Sequence, residues 1–321
     1  MRGNTKIDVV AKMIKNHGVI VLVIAASVIM TIYSPRFLSF HNIINIFSQI
    51  AIYGIVSCGM TIAVIGGEFD LSVSTLLGLE TLLFAILTPR LGIMPAIGIC
   101  LAAGVAGGAV NGILVGYMHM NSFIATLSTM LIFQGISLTF SGGHPASFVN
   151  EATYQFGNAK ILNIPVIVWF FLTGLVITGY ILKETRFGRN IFAVGGNNIV
   201  AAMSGINVRL YKCALFIILG VLTAIAGILM SSRMASGNAL YGSDLTMTVM
   251  AGVVIGGTSM AGGKGGASNT FWGMLVLGIL FNALLILEVQ SNWQSLVKGV
   301  ILILVITFDK VMSLKKEKSR R

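Results

Sequence analysis

The stretch IINIFSQIAIYGIVSCGMTIAVIGGEFDLSVSTLLGLETLLFAILT, residues 43–88, decides the fold. It holds two long apolar runs, about 43–65 and 71–88, with GGEFDLSVS between them at 66–74. A helix needs about 20 mostly apolar residues to cross a bilayer, so each run reads as a membrane span and the glycine-rich piece as the break between them. Outward from this pair the pattern repeats. Further apolar runs stand at about 18–34, 93–117, 123–140, 164–182, 211–232, 245–260, 269–288 and 293–309, for about ten in all. The third, fifth and eighth are short for a full crossing, which predicts breaks, tilts or partial insertion there.

Composition agrees with this reading. Hydrophobic residues make up 56% of the 321 and charged residues 10%, with a mean hydropathy of +0.92. A soluble domain carries about 25% charge, so such a fold is excluded. The expectation is an all-α polytopic bundle forming a single transmembrane domain over 1–321. The net charge of +11 lies in short loops and tails with no aromatic-interleaved patch, which argues for membrane topology and against nucleic acid. Ten spans with both termini cytoplasmic leave 16 of the 21 Lys and Arg inside and five (Arg36, Arg90, Lys160, Arg233, Lys298) outside, as the positive-inside rule requires. The first run follows Arg2, Lys6, Lys12 and Lys15 but lacks a small-residue cleavage site before Pro35, so it reads as an uncleaved helix.

Few residues can carry chemistry. Cys58, Cys100 and Cys213 sit in apolar stretches without metal or disulfide spacing and read as small core residues. VVIGGTSMAGGKGG at 253–266 fails as a phosphate loop, because Thr258 and Gly265 occupy positions where Gly and Ser or Thr would be needed. It reads as a flexible inner turn carrying Lys264. With no catalytic constellation, metal cluster or cofactor motif, an enzyme is not expected.

Polar groups inside spans are the candidates for a substrate path. In GGEFDLSVS, Asp70 and Ser72 either cap the third helix at an ordinary inner turn or line a path at a broken helix. Glu80, in the middle of a span, must be paired, protonated or wet. Asn111, Gln134 and Asn282 can each bond a sugar hydroxyl or a neighbouring helix. Gly104, Gly108, Gly112 and Gly116, four residues apart, predict tight helix packing, against either the same chain or a second copy.

Two longer loops remain. The polar outer loop at about 141–163 suits a cap or an external partner. The inner one, 183–210, holds NIVAAMSGI at 198–206, a short helix outside the bilayer that needs something to pack on.

GGEFDLSVS (66–74), FIATL (123–127), TRFGR (185–189), GGNNIVAAMSGINV (195–208) and VVIGGTSMAGGKG (253–265) together resemble, in order, the permease subunits of ABC importers for ribose, xylose, galactosides and autoinducer-2. The resemblance implies the type II importer architecture, like that of the vitamin B12 permease, in a bacterial cytoplasmic membrane. It also implies a second permease copy (a homodimer, with a heterodimer as the alternative), a cytoplasmic ATPase, an external sugar-binding protein and surrounding lipid. In that family the 183–210 loop couples to the ATPase. The matching positions here are Gly195, Gly196, Asn197, Ala201, Ser204, Gly205 and Ile206, while Asn198 and Ile199 stand where members often carry an acidic residue. The basic segment 310–321 is the expected cytoplasmic tail. An ion-coupled secondary transporter working through Glu80 or Asp70 is the alternative from another class.

Overall fold

The structure, a computed structural model, describes residues 5–147 and 151–290 and single helical positions between 293 and 307, with side chains from residue 19 onward except 151 and 152. The expected tenth run lies mostly, and the basic tail wholly, outside the described residues. The molecule is an all-helical bundle. Seven helices among the described residues are long and apolar enough to cross a membrane: α2 (Phe40–Ile65), α3 (Val73–Leu91), α4 (Ile93–Gly112, prolonged by a π-turn over Ile113–Tyr117), α5 (Ser122–Ser141), α7 (Val166–Glu184), α10 (Val208–Met234) and α12 (Ala267–Ile286). Helix α1 (Thr5–Tyr33) contributes a shorter apolar stretch, Val19–Tyr33.

Helix α2 is the axis. Of its span, 89% is buried, against 28% for the span Ile93–Tyr117, and it touches α7, α10, α12 and the shorter α11 (Leu245–Ile255). Ser39 caps its start by accepting the Asn42 N–H. Helix α4 lies along α10, and the glycine stripe is the reason. A Cβ on Gly104 would stand 2.6 Å from the Gly220 carbonyl oxygen, and one on Gly116 would stand 2.7 Å from that of Arg209. The stripe therefore packs within the chain, backbone against backbone.

Two regions depart from the simple span count. The inner loop contains two helices, α8 (Arg186–Gly196) and α9 (Asn198–Met203), where one was expected. The eighth run, expected over 245–260, is helical only over α11 (Leu245–Ile255). At 1.5 Å per residue its 11 residues rise roughly 16 Å, half a hydrocarbon core. The cause lies at both ends. Gly256 and Gly257 stop the helix, and before it the chain folds back from the end of α10 along α3: Asn238 N–H donates to Thr81 Oγ1 at 3.2 Å, near the centre of α3.

The remaining elements form a small cover at one end. Ala146–Ser147 (β1) pairs antiparallel with Ser236–Gly237 (β4), Lys160–Ile161 (β2) pairs with Ile164–Pro165 (β3), and α6 (Glu151–Asn158) rests on the end of α10.

Candidate functional site: a junction of two helix breaks and a surface helix

Helix α2 ends at Ala63–Glu68 in a closed turn. Gly67 N–H donates to Val64 O at 3.0 Å and Glu68 N–H to Ala63 O at 3.0 Å. Gly67, with φ +82°, takes the left-handed position that this closure demands and that favours glycine. Glu68, buried, forms an ion pair with Lys212 Nζ near the start of α10.

Two residues on, Asp70 organises a buried polar network. Its Oδ1 accepts from Ser72 N–H (2.8 Å) and Ser72 Oγ (2.6 Å), and its Oδ2 accepts from Asn111 Nδ2 (3.1 Å). Asn111 also donates to Ser72 Oγ at 2.9 Å and accepts from Thr129 Oγ1 at 2.7 Å. Asp70, Ser72 and Asn111 are each at most 3% exposed. Hence three of the six expected path residues form one unit. It ties the start of α3 to α4 and α5, with Asp70 securing the Ser72 amide at the helix entrance.

The other three stand apart from it. Asn282 makes a reciprocal amide pair with Asn42, both bonds 2.9 Å, joining α12 to α2. Gln134 is half-buried on α5 and shares no hydrogen bond with the Asp70 network among the described residues. Glu80 is fully buried against Gly227 of α10, and neither carboxylate oxygen has a hydrogen-bond partner among the described residues.

The second break, Val253–Thr258, repeats the first closure: Gly257 N–H donates to Val254 O (2.9 Å) and Thr258 N–H to Val253 O (3.2 Å), with Gly257 at φ +98°. The loop that follows turns onto the end of α2, where Gly263 N–H donates to Ile65 O at 2.8 Å. Between the two breaks sits the end of α8. A Cβ on Gly195 would collide with the Ile65 carbonyl oxygen and stand 2.9 Å from Gly263 N, while one on Gly262 would stand 2.5 Å from Gly195 O. Three backbones thus meet where no side chain fits.

Helix α9 projects from this junction. Asn197 caps it by accepting the Ile199 and Val200 N–H groups at 3.0 and 3.1 Å. Gly205, at φ +82°, closes it as Gly67 closes α2: Gly205 N–H donates to Ala202 O and Ile206 N–H to Ala201 O. Ala201 is buried, but Ile199, Val200 and Met203 are 73%, 57% and 84% exposed. Gly196, Ser204 and Gly205 are also open to solvent, and a Cβ on Gly205 would meet nothing within 4 Å. Toward the membrane, Asn190 on α8 donates to the Tyr211 hydroxyl at 2.6 Å and Phe187 stacks on the Tyr211 ring. The loop is braced on α10 and apolar on its outer side.

Sequence reasoning missed Lys212 as the partner of Glu68 and Asn42 as the partner of Asn282. A lysine set four residues inside an apolar helix was the available signal for the first. For the second there was none short of the helix register.

The chain is similar to known proteins along most of its length. Residues 42–306 match the family described as branched-chain amino acid transport system / permease component. The chain is 34% identical to the ribose import permease protein of Haemophilus influenzae over 309 residues, 95% of each chain. It is 36% identical to that of Bacillus subtilis over 300 residues, 92% of each. The L-arabinose transport system permease protein of Escherichia coli is 34% identical over 308 residues, 95% of this chain and 92% of its own. No solved structure matches.

Proposed function

We propose a function from one premise: this chain belongs to the family of transport-system permease components, membrane subunits of ABC importers and not enzymes. In our reading it carries a monosaccharide or similar small polyhydroxylated solute across the bacterial cytoplasmic membrane. The names of the ribose and arabinose relatives support the solute class; a separate cytoplasmic ATPase supplies the energy and an external binding protein delivers the solute, the partners that an ABC importer permease implies. The architecture is that of a type II importer, with ten spans, both termini cytoplasmic and two permease copies, in contact with lipid.

The observation that carries this reading is the apolar strip Ile199, Val200 and Met203 on a doubly capped surface helix. Water is a poor neighbour for such a strip, which supports reading it as a docking face, and the basic charge nearby supports a location on the ATPase side. Residues 195–206 couple the ATPase to the permease. Gly195 and Gly196 pass its displacement to the ends of α2 and α11, which flank the path. The Asp70, Ser72 and Asn111 network is the fixed wall of that path. Glu80, Gln134 and Asn282 belong to its supporting helices.

The test is reconstitution in sealed vesicles with the ATPase and binding protein encoded nearest this chain. ATP-dependent sugar uptake that requires all three components is expected. Uptake driven by a proton or Na⁺ gradient without the ATPase would replace this reading with an ion-coupled transporter.

A further inference from the structure

On the face that carries Arg233, two cavities of about 460 and 280 Å³ adjoin, and Ser48 and Arg233 line both. The outer one is walled by polar groups such as Asn45, Asn158 and Asn163. The inner one runs down α2 past Gln49 to Tyr53, midway along that helix, with Ile52, Leu77 and Leu245 as apolar walls. Gly242, on the returning chain 235–244, lines it too. Gly237 and Ala239 pack on Thr81 and Gly78 in the middle of α3, and Thr246, just beyond, donates to Leu71 O at 3.3 Å.

A stretch of irregular backbone beside the centre of a span survives only under protein or water. Here Leu240, Ser243 and Met247 are exposed, so water or a second permease copy, and not lipid, must border the segment. At that level the Tyr53 hydroxyl donates to Asp244 Oδ1 at 3.2 Å. A tyrosine whose proton is committed to a carboxylate keeps its lone pairs free to accept from a solute hydroxyl. Gln49 beside it offers both a donor and an acceptor. A ring with a C–H face and a hydroxyl edge matches one apolar wall and one polar wall. The cationic groups Arg233 and Lys160 belong to the outer vestibule, and below Arg233 the residues lining the inner cavity are uncharged, which suits a neutral solute.

We propose that Gln49 and Tyr53, the latter with its hydroxyl proton held by Asp244, form a low-affinity binding site for a neutral polyhydroxylated solute, halfway across the membrane at the foot of the Arg233 vestibule. The proposal rests on the importer reading and specifies where in the permease the solute stops.

The test uses the assembled complex in vesicles of known orientation, with Cys58, Cys100 and Cys213 replaced by alanine and Met230→Cys added, an apolar lining position of the inner cavity. A membrane-impermeant thiol reagent applied to the Arg233 face should modify residue 230. Ribose, arabinose, xylose or galactose at high concentration should slow that modification, while leucine should not. Tyr53→Phe, which keeps the ring and its packing, should raise the protecting concentration about tenfold, the loss of one hydrogen bond to solute. An unreactive Met230→Cys beside a reactive Asn163→Cys overturns the proposal, because the space is then closed or filled by the second copy. Protection by none of these sugars, protection by leucine instead, or Tyr53→Phe protected like its parent each overturns it as well. Loss of ATP-driven uptake by the unmodified complex, with labelling and protection intact, would break the importer reading and leave the site standing.

Discussion

The two glycine-paired breaks, Ala63–Glu68 and Val253–Thr258, close their helices with the same hydrogen bonds and the same left-handed second glycine. They differ in what holds them afterwards. After the first, Glu68 is paired with Lys212 and Asp70 is saturated by Ser72 and Asn111, so charges and amides lock the segment to three other helices. After the second, no acidic side chain follows until α11 and α12 are joined, Thr258 Oγ1 lacks a partner among the described residues, and the loop is held by glycine backbone against Gly195 and Ile65. An ion pair and a buried side-chain network resist displacement more than a loop held by backbone contacts and the Gly263–Ile65 backbone hydrogen bond. We propose that the first break is the stator of the junction and the second its moving part, with Gly195 as the contact through which the surface helix reaches both.

The sharpest test of this contrast is at Gly195. Gly195→Ala drives a methyl into the Ile65 carbonyl, which belongs to a closed helix end and cannot retreat. Overpacking of this kind costs about 1–3 kcal/mol or more. Gly196→Ala, with nothing within 4 Å of its Cβ, is the control and should stay within about 0.5 kcal/mol. Thermal stability in detergent and ATP-driven uptake should both fall for Gly195→Ala only. Equal behaviour of the two would mean that the three backbones do not meet as described.

The stator should break when its ion pair is halved. Lys212→Met leaves Glu68 buried without its partner, at a cost of about 3–5 kcal/mol. Adding Glu68→Gln removes the stranded charge and should restore most of the melting temperature. A double variant no more stable than Lys212→Met alone would show that the pair does not act as a unit. In the second break the matching change should do the opposite. Thr258→Val removes a hydroxyl that has no hydrogen bond, so stability should hold or rise by up to about 1 kcal/mol. A loss of more than that would mean that Thr258 is bonded and that the moving part is locked too.

Much of this contrast can be read from the chain, and the unread part has physical causes. GGEFDLSVS announces a break and a helix cap because Gly, Asp and Ser have local preferences there. The glycine stripe announces close packing because its period of four matches one helix face, but which helix it meets depends on tertiary order. The partner of Asp70 is 41 residues away on α4 and that of Glu68 is 144 residues away on α10; such pairs follow from helix register, which no local pattern encodes. The over-long reading of the eighth run is a different failure. Ile-Gly-Gly at 255–257 copies Ile-Gly-Gly at 65–67, so the stop signal was present but outweighed by hydropathy. The return of 235–244 along α3 and the Tyr53–Asp244 contact carry no sequence pattern, because only folding brings them together.

A small effect on the fold is expected at Gly205, the third closure of the same kind, and it tests where the junction's motion begins. Gly205 is left-handed like Gly67 and Gly257, but its Cβ would meet open space. Asn tolerates that conformation, so Gly205→Asn should cost below about 1 kcal/mol, and Gly205→Glu about 1–2 kcal/mol through backbone strain alone. Neither should prevent membrane insertion. If α9 merely ends there, both variants should transport in proportion to their amount in the membrane. If the ATPase seats against it, the longer charged side chain lifts the apolar strip from its groove. Gly205→Glu should then insert at nearly the normal level, fail to retain the ATPase through detergent washing and lose substrate-stimulated ATP hydrolysis, while the binding protein's affinity for sugar stays unchanged. Normal insertion together with transport at the wild-type rate would remove residues 195–206 from the coupling role and leave the glycine junction as a static weld between two helix ends.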